Sequence, residues 1–595
     1  MNSSLIKNEG WLYGLAFLLA IGFRFIQLGA SPLTDSEATL ALQALHIAQG
    51  KAPLLGPQPG YILLTSVLFG IINSTNFMAR FFPALAGSLL VFVPWFFRDK
   101  LKPRPALILA FLFAIDPGMV ALSRQANGTM LAIASLLFAW AMWRHGRFMP
   151  AGIFAGLALL SGPSTWAGLL TLGLTWLFLR GMESGPASEA LTDQSPREAS
   201  NLDAERPITC NQLPIAEYRP AILALLITLL LGGTLFFLSP NGLSAWLSAL
   251  PAYLQGWIAP SAMTPGRMLL TFLFYEPLGF FLAILSMIRG FRTGSRRIIR
   301  LSLWLGVALL LAIFYRQPGE LAWVIIPLLA LAALELSHAL NMVAEERLEV
   351  GVVVLALMIL LAYIWFDVAK IATDPHGLLG ATPLPLFGRM IQLAGAPYVV
   401  LLGAILILIL CIVFVAFGWS TRTAWLGGTW AFVIFLGVYT LASAWGASRL
   451  RARDGIEFWM PDQPPIQAKL LLATVDDISE FSLGHVHAQP VTIMGIESPA
   501  LEWALRHRQV EVVSTLNTQV APPIVITPVM DDLGMPSAYR GQDFVWRQTP
   551  LWQEVQSPDW FRWLVFRQLP KESETVVLWA RDDLFPDARE TSQQP

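Results

Sequence analysis

The feature that most constrains this chain is a succession of apolar runs, most of them long enough to cross a bilayer, within its first 446 residues. A hydrocarbon core of about 30 Å needs about 20 consecutive apolar residues in a helix. Helices are expected because a backbone inside lipid must satisfy its own hydrogen bonds. Eleven such runs lie near residues 11–28, 79–97, 105–122, 128–143, 220–238, 268–288, 301–314, 320–337, 350–366, 397–417 and 425–444.

Two further stretches decide the number of spans. The stretch 149–179 is too long for one helix, and Ser161-Gly162-Pro163-Ser164 at its centre is a turn signal, so two short helices are predicted there. The run 61–72 holds only about 12 residues, a length typical of an interfacial or re-entrant segment. The prediction is therefore thirteen transmembrane helices.

Loop charge indicates the orientation. Lys and Arg accumulate in short cytoplasmic loops. With thirteen spans, the basic clusters at 98–104, 144–147 and 289–300 fall on the side of the N-terminus. We therefore expect a multi-pass protein of the plasma (inner) membrane with a cytoplasmic N-terminus, a first external loop at 29–78 and a flexible cytoplasmic loop at 181–219.

The charged residues divide the chain into two domains. Residues 447–595 hold 33 Asp, Glu, Lys and Arg residues in 149 positions, whereas residues 1–446 hold 46. The second part has the composition of a soluble domain. Its β-rich runs, among them 470–475, 510–513, 524–526 and 576–579, alternate with helical stretches, which predicts an extracytoplasmic mixed α/β domain after an all-α membrane domain.

Composition also excludes several classes. With 55% hydrophobic and 13% charged residues, the whole chain is too apolar to be a soluble multidomain enzyme. A net charge of -1 without a basic, aromatic-rich run argues against nucleic-acid binding. Cys210 and Cys411 are the only cysteines, so neither a disulfide framework nor a cysteine-based metal site is predicted.

The first external loop carries two carboxylates at the start of a helix. The sequence Thr34-Asp35-Ser36-Glu37 precedes apolar positions spaced by three and four residues, and His46 lies on the polar side of this helix. One interpretation is structural: Thr34 and Glu37 form a capping box, and Asp35 complements the helix dipole. The other is chemical, because a carboxylate at the membrane boundary can serve as a general base.

These residues, with three further stretches, resemble the GT-C superfamily of membrane glycosyltransferases, in the branch of the protein O-mannosyltransferases and the lipid A aminoarabinose transferase. The similar stretches are Gly56–Gly60, Ala79–Gly87 and Asp116–Arg124. The motifs cover about the first 180 residues, and the remainder is similar in topology only.

The resemblance implies that a sugar is moved from a polyprenyl-phosphate donor to a protein, lipid or glycan acceptor on the outer face, with inversion. It implies Asp35 as the base and Glu37 as the second carboxylate. The pair here is Asp-x-Glu rather than adjacent acids, which leaves open which member is catalytic. Asn127 follows Arg124 where relatives often have an acid, so a requirement for a divalent cation is also left open.

A departing phosphate needs a cation, and arginine binds phosphate oxygens through two parallel hydrogen bonds. Arg80, Arg124 and Arg316 are the candidates, with snorkelling to lipid headgroups as the alternative for each. Carboxylates within membrane segments are costly, so Glu276 and Glu320 are candidates for lining a substrate cavity, together with His46. Glu320 alternatively caps its helix.

Two other functions are compatible with the pattern. A transporter or flippase of lipid-linked sugars also needs a membrane cavity with cations, but it predicts repeated halves, which the sequence does not show. A catalytically inactive relative with a scaffold role is the other alternative, and Asn127 favours it.

Overall fold

The structure is a computed structural model that describes residues 9–183, 215–259, 261, 263–342, 347–374, 381–386, 389–448, 456–460, 462–516, 520–552 and 554–585. The predicted flexible loop 181–219 lies largely outside these residues. The described part is mainly helical up to Ala447 and mixed helix and sheet from Ala468 onward. This agrees with the predicted fold class.

In the described residues, the regular elements of the membrane body are helices and one hairpin. Its helices are Glu9–Phe25, Asp35–Ala48, Pro59–Ile71, Asn76–Leu89, Val93–Phe96, Arg98–Leu101, Pro103–Ile115, Pro117–Ser123, Thr129–Arg144, Phe148–Leu160, Pro163–Glu183, Ile215–Ile227, Asn241–Leu247, Ala249–Gly256, Pro265–Tyr275, Pro277–Thr293, Arg296–Tyr315, Leu321–Met342, Arg347–Thr373, Ala396–Gly418 and Thr421–Ala447.

In the described part of the chain, six helices are long and apolar enough to cross a membrane, and that number rises to nine if each of three bent pairs is one span. Three shorter apolar helices include Pro59–Ile71, whose 13 residues agree with an interfacial or re-entrant segment. The count of thirteen spans stays a prediction. The six helices are Asn76–Phe96, Arg296–Tyr315, Pro318–Leu340, Leu348–Thr373, Ala396–Gly418 and Thr421–Ala447.

The bent pairs share a physical cause, since each second helix begins with a proline. Proline lacks the backbone N–H that would continue the preceding helix. The bend of 120° between Phe148–Leu160 and Pro163–Met182 confirms the two helices predicted for 149–179. The runs 105–122 and 268–288, each predicted as one span, form the other two bent pairs, with bends of 55° at Asp116 and 89° at Glu276.

The hairpin, which sequence did not indicate, consists of β1 (Ala381–Leu386) and β2 (Arg389–Ala394). The strands are antiparallel, with Ala381 opposite Ala394. They connect Arg347–Thr373 to Ala396–Gly418.

The C-terminal domain is a five-stranded sheet with helices. Its strands are β3 (Val491–Met494), β4 (Val510–Val513), β5 (Ile524–Pro528), β6 (Tyr539–Pro550) and β7 (Lys571–Arg581), in the order β4-β3-β5-β7-β6. β3 is parallel to β4 and β5, and β7 is antiparallel to β5 and β6. Its helices are Ala468–Leu483, Pro499–Ala504 and Ser557–Phe566.

One predicted strand is wrong. The run 470–475 lies inside the helix Ala468–Leu483, whose buried residues include Leu471, Val475 and Ile478. Their spacing of four and three residues places them on one helix face, which packs into the core of the domain. Within 470–475 the consecutive apolar residues show no helical period. The period appears only when the next five residues are included.

The helix Asp35–Ala48, which we name the outer-loop helix, lies between the two domains. Ala38, Ala41 and Ala44 are fully buried, and they belong to the same apolar cluster as the core of the C-terminal sheet. Small residues at this spacing permit close approach of the short helix Pro499–Ala504, which we name the docking helix. The outer-loop helix thus joins the membrane body to the C-terminal domain.

Candidate functional site

A cavity of about 330 Å³ lies beside the first turn of the outer-loop helix, and we name it the outer cavity. Loops of the membrane body form most of its wall, and the segment that leads into the C-terminal domain completes it. Its lining residues are Thr34, Ser36, Glu37, Leu40, Gln58, Gln125, Ala126, Asn127, Thr129, Ser161, Pro163, Ser164, Tyr315, Gln317, Pro318, Gly319, Glu320, Trp459, Met460 and Asp462.

Close contacts of backbone atoms at two glycines hold the loops of this wall together. The Gly128 N–H donates to the Gln58 side-chain oxygen at 2.7 Å. A Cβ at Gly128 would lie 2.2 Å from the carbonyl oxygen of Ser161, so only glycine fits. Gly162 has φ +108°, a conformation that strongly favours glycine. Three separate parts of the chain therefore meet at one edge of the cavity.

Glu37 lines the outer cavity, but its two oxygens are engaged by four donors. Arg80 donates from Nε at 2.9 Å and from Nη2 at 2.6 Å. The backbone N–H groups of Thr34 and Ala126 donate at 3.0 and 2.8 Å. Burial alone would raise the pKa of Glu37, but the Arg80 ion pair and these amides lower it below its ordinary value. Thr34 and Glu37 also form the predicted capping box.

Asp35 points away from the outer cavity, towards the C-terminal domain. Its Oδ1 accepts from Ser498 Oγ at 2.8 Å and from the Ala500 N–H at 3.0 Å. Its Oδ2 forms an ion pair with Arg547 on β6. The docking helix has no capping hydrogen bond from its own N-cap side chain, so Asp35 supplies one from the other domain. Its role as a base stays a prediction.

The three candidate arginines lie in different environments. Arg80 is buried and, besides Glu37, donates to the carbonyl oxygens of Leu28, Ser31 and Pro32. Arg124 is buried and donates to the carbonyl oxygens of Phe23, Arg24, Ile26 and Gln27, where the first helix ends. Both therefore bind backbone in the structure.

Arg316 has φ +59° and ends the helix Arg296–Tyr315. Its neighbours Tyr315 and Gln317 line the outer cavity, but Arg316 does not. Phosphate binding by Arg80, Arg124 or Arg316 stays a prediction.

The remaining candidates are divided between the cavity and its surroundings. Glu320 is buried in the wall of the outer cavity, and its Oε2 accepts from Ser164 Oγ at 3.2 Å. Glu276 is buried at the helix break beside Gly118, where it lines a separate void of about 20 Å³. His46 lies in the last turn of the outer-loop helix and outside the cavity wall, where burial and Lys51 lower its pKa.

A second cavity, of about 170 Å³, lies between the ends of the first and last membrane helices and the C-terminal domain; we name it the interface cavity. Trp459 and Met460 line both cavities and form the wall between them. The interface cavity is lined by Gln27, Ala30, Ser31, Pro32, Ala442, Ser443, Gly446, Ala447, Ile456, Glu457, Trp459, Met460, Gln463, Pro464, Pro465, Ile466, Lys469, Gln548, Phe566, Arg567 and Lys571.

No group of three or more His, Cys, Asp or Glu side chains in the described residues is arranged to hold a metal ion. The outer cavity has the carboxylates Glu37, Glu320 and Asp462 in its wall, and Glu37 is already paired with Arg80. We therefore assign no step of the chemistry to a metal.

Comparison with solved structures identifies the architecture. The chain superposes on ArnT from Cupriavidus metallidurans, solved with undecaprenyl phosphate bound, with a TM-score of 0.51 and 15% identity. The match covers 87% of this chain and 93% of that one. The chain has an ArnT-like fold. The apo structure of the same protein gives a TM-score of 0.48 at 13% identity, with 87% of this chain and 93% of that one covered.

This shared fold is the one that the resemblance in the sequence motifs implied. It extends that likeness from the first 180 residues to most of the chain. No family model matches the sequence, and no curated protein matches it.

Sequence reasoning missed several residues of the two cavities. Gln58 lies in the Gly/Pro segment that contributed to the resemblance, but nothing in its local pattern indicated a contact with Gly128. Ser164 belongs to the predicted turn, whereas Asp462, Lys469 and Lys571 lie in the C-terminal domain. Their proximity to the outer-loop helix depends on how the two domains dock.

Proposed function

We propose that this protein is an integral membrane glycosyltransferase that moves a sugar from a polyprenyl-phosphate donor to an acceptor at the outer face of the membrane, with inversion. The observation that carries the proposal is the outer cavity, placed between an ArnT-like membrane body and the C-terminal domain and lined by the first external loop. The undecaprenyl phosphate bound to the ArnT neighbour supports the donor class.

The reaction requires one displacement. The acceptor hydroxyl oxygen bonds to the anomeric carbon, the bond from that carbon to the phosphate oxygen breaks, and polyprenyl phosphate leaves with the electron pair. A carboxylate takes the hydroxyl proton. Since the donor already carries a good leaving group, positioning and one base account for most of what the protein must supply.

The candidates for the base differ in the contacts that each carboxylate already makes. To accept a proton from the acceptor, Asp35 would have to break its contacts with Arg547 and Ser498. Glu37 would have to break its ion pair with Arg80. Glu320 faces the outer cavity and accepts a hydrogen bond from Ser164 Oγ. The geometry therefore supports Glu320 as the base, with Glu37 bound to Arg80 in the cavity wall and Asp35 bound to the C-terminal domain.

The test is the release of undecaprenyl phosphate from undecaprenyl-phosphate-linked sugars by the reconstituted protein. For Glu320→Gln we expect a fall in turnover of about 10²-fold or more. Asp35→Asn and Arg547→Gln should have equal and smaller effects, because they break the same ion pair. Asp477→Asn, in the helix Ala468–Leu483, is the matched control and should not change the rate.

Three results would change the assignment of the base or of the function. Loss of activity in Asp35→Asn but not in Arg547→Gln would make Asp35 the base. An equivalent loss in Glu37→Gln, with folding retained, would select Glu37. Transport of the lipid across vesicles without sugar release would support a flippase instead.

One observation favours a second candidate, a catalytically inactive scaffold with this fold. Both carboxylates of the first external loop are in ion pairs, and Asn127 lies in the cavity wall. That function predicts that the wild-type protein consumes none of the lipid-linked sugars, under conditions where an active transferase of the same fold does.

A further inference from the structure

Two buried carboxyl groups of the membrane body meet where two of the bent helix pairs break. Asp116 directly precedes Pro117, and Glu276 directly precedes Pro277. The exposed fractions of the two acidic residues are 2% and 3%. A Cβ added at Gly118 would lie 3.4 Å from Asp116 Oδ1 and 3.3 Å from Glu276 Oε1, so both carboxyl groups pack against the same glycine.

The hydrogen bonding of these two groups requires a proton. The carboxyl groups of Asp116 and Glu276 form a hydrogen bond with each other. Asp116 Oδ2 and Glu276 Oε1 are buried, and neither accepts a hydrogen bond of ordinary distance and angle from an N–H or O–H group of the described residues. Ionised carboxylates are acceptors only. One of the two must therefore carry a proton for the hydrogen bond to form.

The charge beside the pair matches a single proton. Arg24 is fully buried, and its guanidinium charge acts on Asp116. Two ionised carboxylates beside one guanidinium would leave an excess negative charge at this depth, which is costly. One ionised and one neutral carboxyl group balance Arg24. The helix Leu321–Met342, which also packs here, presents the apolar residues Leu321 and Ile325.

The void of about 20 Å³ beside Glu276 does not suit a metal ion in place of the proton. Asp116 does not line this void, so an ion held there would not contact both carboxyl groups. Tyr275 lines the void, but its hydroxyl donates to Glu457. The described lining residues are Gly118, Leu122, Thr271, Phe272, Tyr275, Glu276, Pro318, Leu321, Ile325 and Trp459.

The two carboxyl groups differ in what they already bind, and this indicates where the proton lies. Asp116 Oδ1 accepts from the Met119 N–H at 2.7 Å and thereby caps the helix Pro117–Ser123. Glu276 precedes the helix Pro277–Thr293 without a capping hydrogen bond from its side chain. Arg24 and the Met119 amide thus stabilise an ionised Asp116, which leaves the proton to Glu276.

Arg24 also binds the backbone at the first of the two breaks. Its Nη2 donates to the carbonyl oxygen of Phe113 at 2.9 Å, and its Nη1 donates to that of Ala114 at 3.1 Å. In a continuous helix the Phe113 carbonyl would accept from residue 117, but Pro117 has no N–H. Arg24 therefore satisfies the break that Asp116 caps, and Asp116 connects it to the second break at Glu276.

The pair lies close to the outer cavity. Pro318 and Trp459 line both the void beside Glu276 and the outer cavity, so these two side chains lie between them. Tyr275, next to Glu276 in the chain, accepts from the Phe458 N–H at 3.3 Å. The position of the cavity wall therefore depends on the helix break that the pair holds.

We propose that Asp116 and Glu276 bind one proton between them, with Glu276 as the neutral acid that donates to Asp116 and with Arg24 balancing the ionised Asp116. The proton joins the two helix breaks beside the outer cavity. Its loss in alkali leaves an excess negative charge and separates the breaks. The inference goes beyond the proposed function and does not depend on sugar transfer.

The first measurement is infrared spectroscopy of the full-length protein in nanodiscs, because a protonated carboxyl group has a C=O band that a carboxylate lacks. We expect Glu276→Gln to lose one such band at neutral pH and Asp116→Asn to retain it. Glu335→Gln is the matched control and should lose no such band, because Glu335 is buried but paired with Arg289 at 2.8 Å.

The second measurement is the melting temperature as a function of pH. If the folded state binds a proton that the unfolded chain releases, the stability of wild type falls as the pH rises. Glu276→Gln keeps a donor to Asp116 at every pH, so it should melt like wild type at neutral pH and show a smaller alkaline fall. Asp116→Asn leaves Arg24 without its anion and should melt lower than wild type at neutral pH.

Two results would overturn the inference. One is retention of every protonated-carboxyl band in Glu276→Gln. The other is a rise in the wild-type melting temperature in sodium chloride over choline chloride at equal ionic strength, absent in Glu276→Gln, which would place a sodium ion at the pair.

A third measurement leaves the pair itself unchanged, in case its variants do not fold. In the Glu320→Gln protein, labelling of glutamate carboxyl groups with carbon-13 should shift a protonated-carboxyl band, since Glu276 carries the proton. Absence of any shift would assign the proton elsewhere and contradict the inference.

Discussion

At the scale of single residues, the two carboxylates in the first turn of the outer-loop helix have different partners because successive side chains of a helix point about 100° apart. Asp35 binds the docking helix and Arg547, whereas Glu37 faces Arg80. Ser36, between them, lines the outer cavity. The motif thus places one carboxylate in each of two separate ion pairs.

The buried pair of Glu37 and Arg80 should dominate local stability. Glu37→Gln retains the capping box but leaves the Arg80 charge unpaired, and breaking such a pair costs about 3–5 kcal/mol. We expect a lower melting temperature in detergent. Glu37→Gln/Arg80→Gln is the control and should recover part of the loss, whereas an additive loss in the double variant would contradict the pairing.

The same pair predicts a pH dependence. Burial raises the pKa of Glu37, but Arg80 and the two amides lower it more, so its folded-state pKa lies below the unfolded value of about 4.3. Its stabilising contribution is therefore present above that value and is lost as the pH falls through the folded-state pKa. Melting curves should show the gap between wild type and Glu37→Gln narrowing in acid. A constant gap would argue against the ion pair.

At the scale of elements, the architecture depends on close contacts between loops and on one short helix that joins the domains. Trp503 of the docking helix donates from Nε1 to Asn76 Oδ1 at 2.7 Å, and its ring lies 5.6 Å from that of Phe69. Arg506 donates to the carbonyl oxygen of Ser74 at 2.8 Å. The C-terminal domain is therefore held by directional contacts as well as by apolar burial.

Gly128 offers a test of the loop contacts. Gly128→Ala would force a Cβ to 2.2 Å from the Ser161 carbonyl oxygen, so we expect a loss of about 1–3 kcal/mol in stability, measured by thermal unfolding. Gly173→Ala is the matched control, because nothing lies within 4 Å of its added Cβ inside the helix Pro163–Glu183. Equal behaviour of the two variants would show that this contact is not made.

Docking of the C-terminal domain can be tested through Asp35. Asp35→Asn and Arg547→Gln should each increase hydrogen exchange in residues 499–504, since both remove the ion pair that restrains the docking helix. The effect of the double variant should match that of either single one, because the two residues share one contact. Asp582→Asn, whose ion pair with Arg540 lies elsewhere, should leave this exchange unchanged.

At the scale of the whole molecule, the two domains enclose the outer cavity together, and the segment with Trp459 forms part of its wall. Phe458 is fully buried, and it packs against Trp563 with ring centres 4.2 Å apart. The Tyr275 hydroxyl in the membrane body donates to Glu457. The site is therefore complete only when the C-terminal domain is docked.

The predicted orientation is directly testable. After replacement of Cys210 and Cys411 by Ala, a membrane-impermeant maleimide should label Ser573→Cys in intact spheroplasts. Thr293→Cys, beside the basic cluster at 289–300, should be labelled only after permeabilisation. The opposite pattern would place the C-terminal domain in the cytoplasm and invert the topology.

The sequence by itself determined the division into a membrane body and an α/β domain, the turn at Ser161–Ser164 and the capping box at Thr34. These depend on composition and on contacts within a few residues. A local pattern was misleading for 470–475, which is helical, and it did not show the bends at Asp116 and Glu276.

Only the tertiary structure decided what the charged residues contact. Asp35 and Arg547 are 512 positions apart, and Glu37 and Arg80 are 43 apart. A buried charge takes whichever opposite charge the packed helices place within reach, and the sequence does not show those distances. The same holds for Lys469 and Lys571, which reach the interface cavity because the C-terminal domain docks on the outer-loop helix.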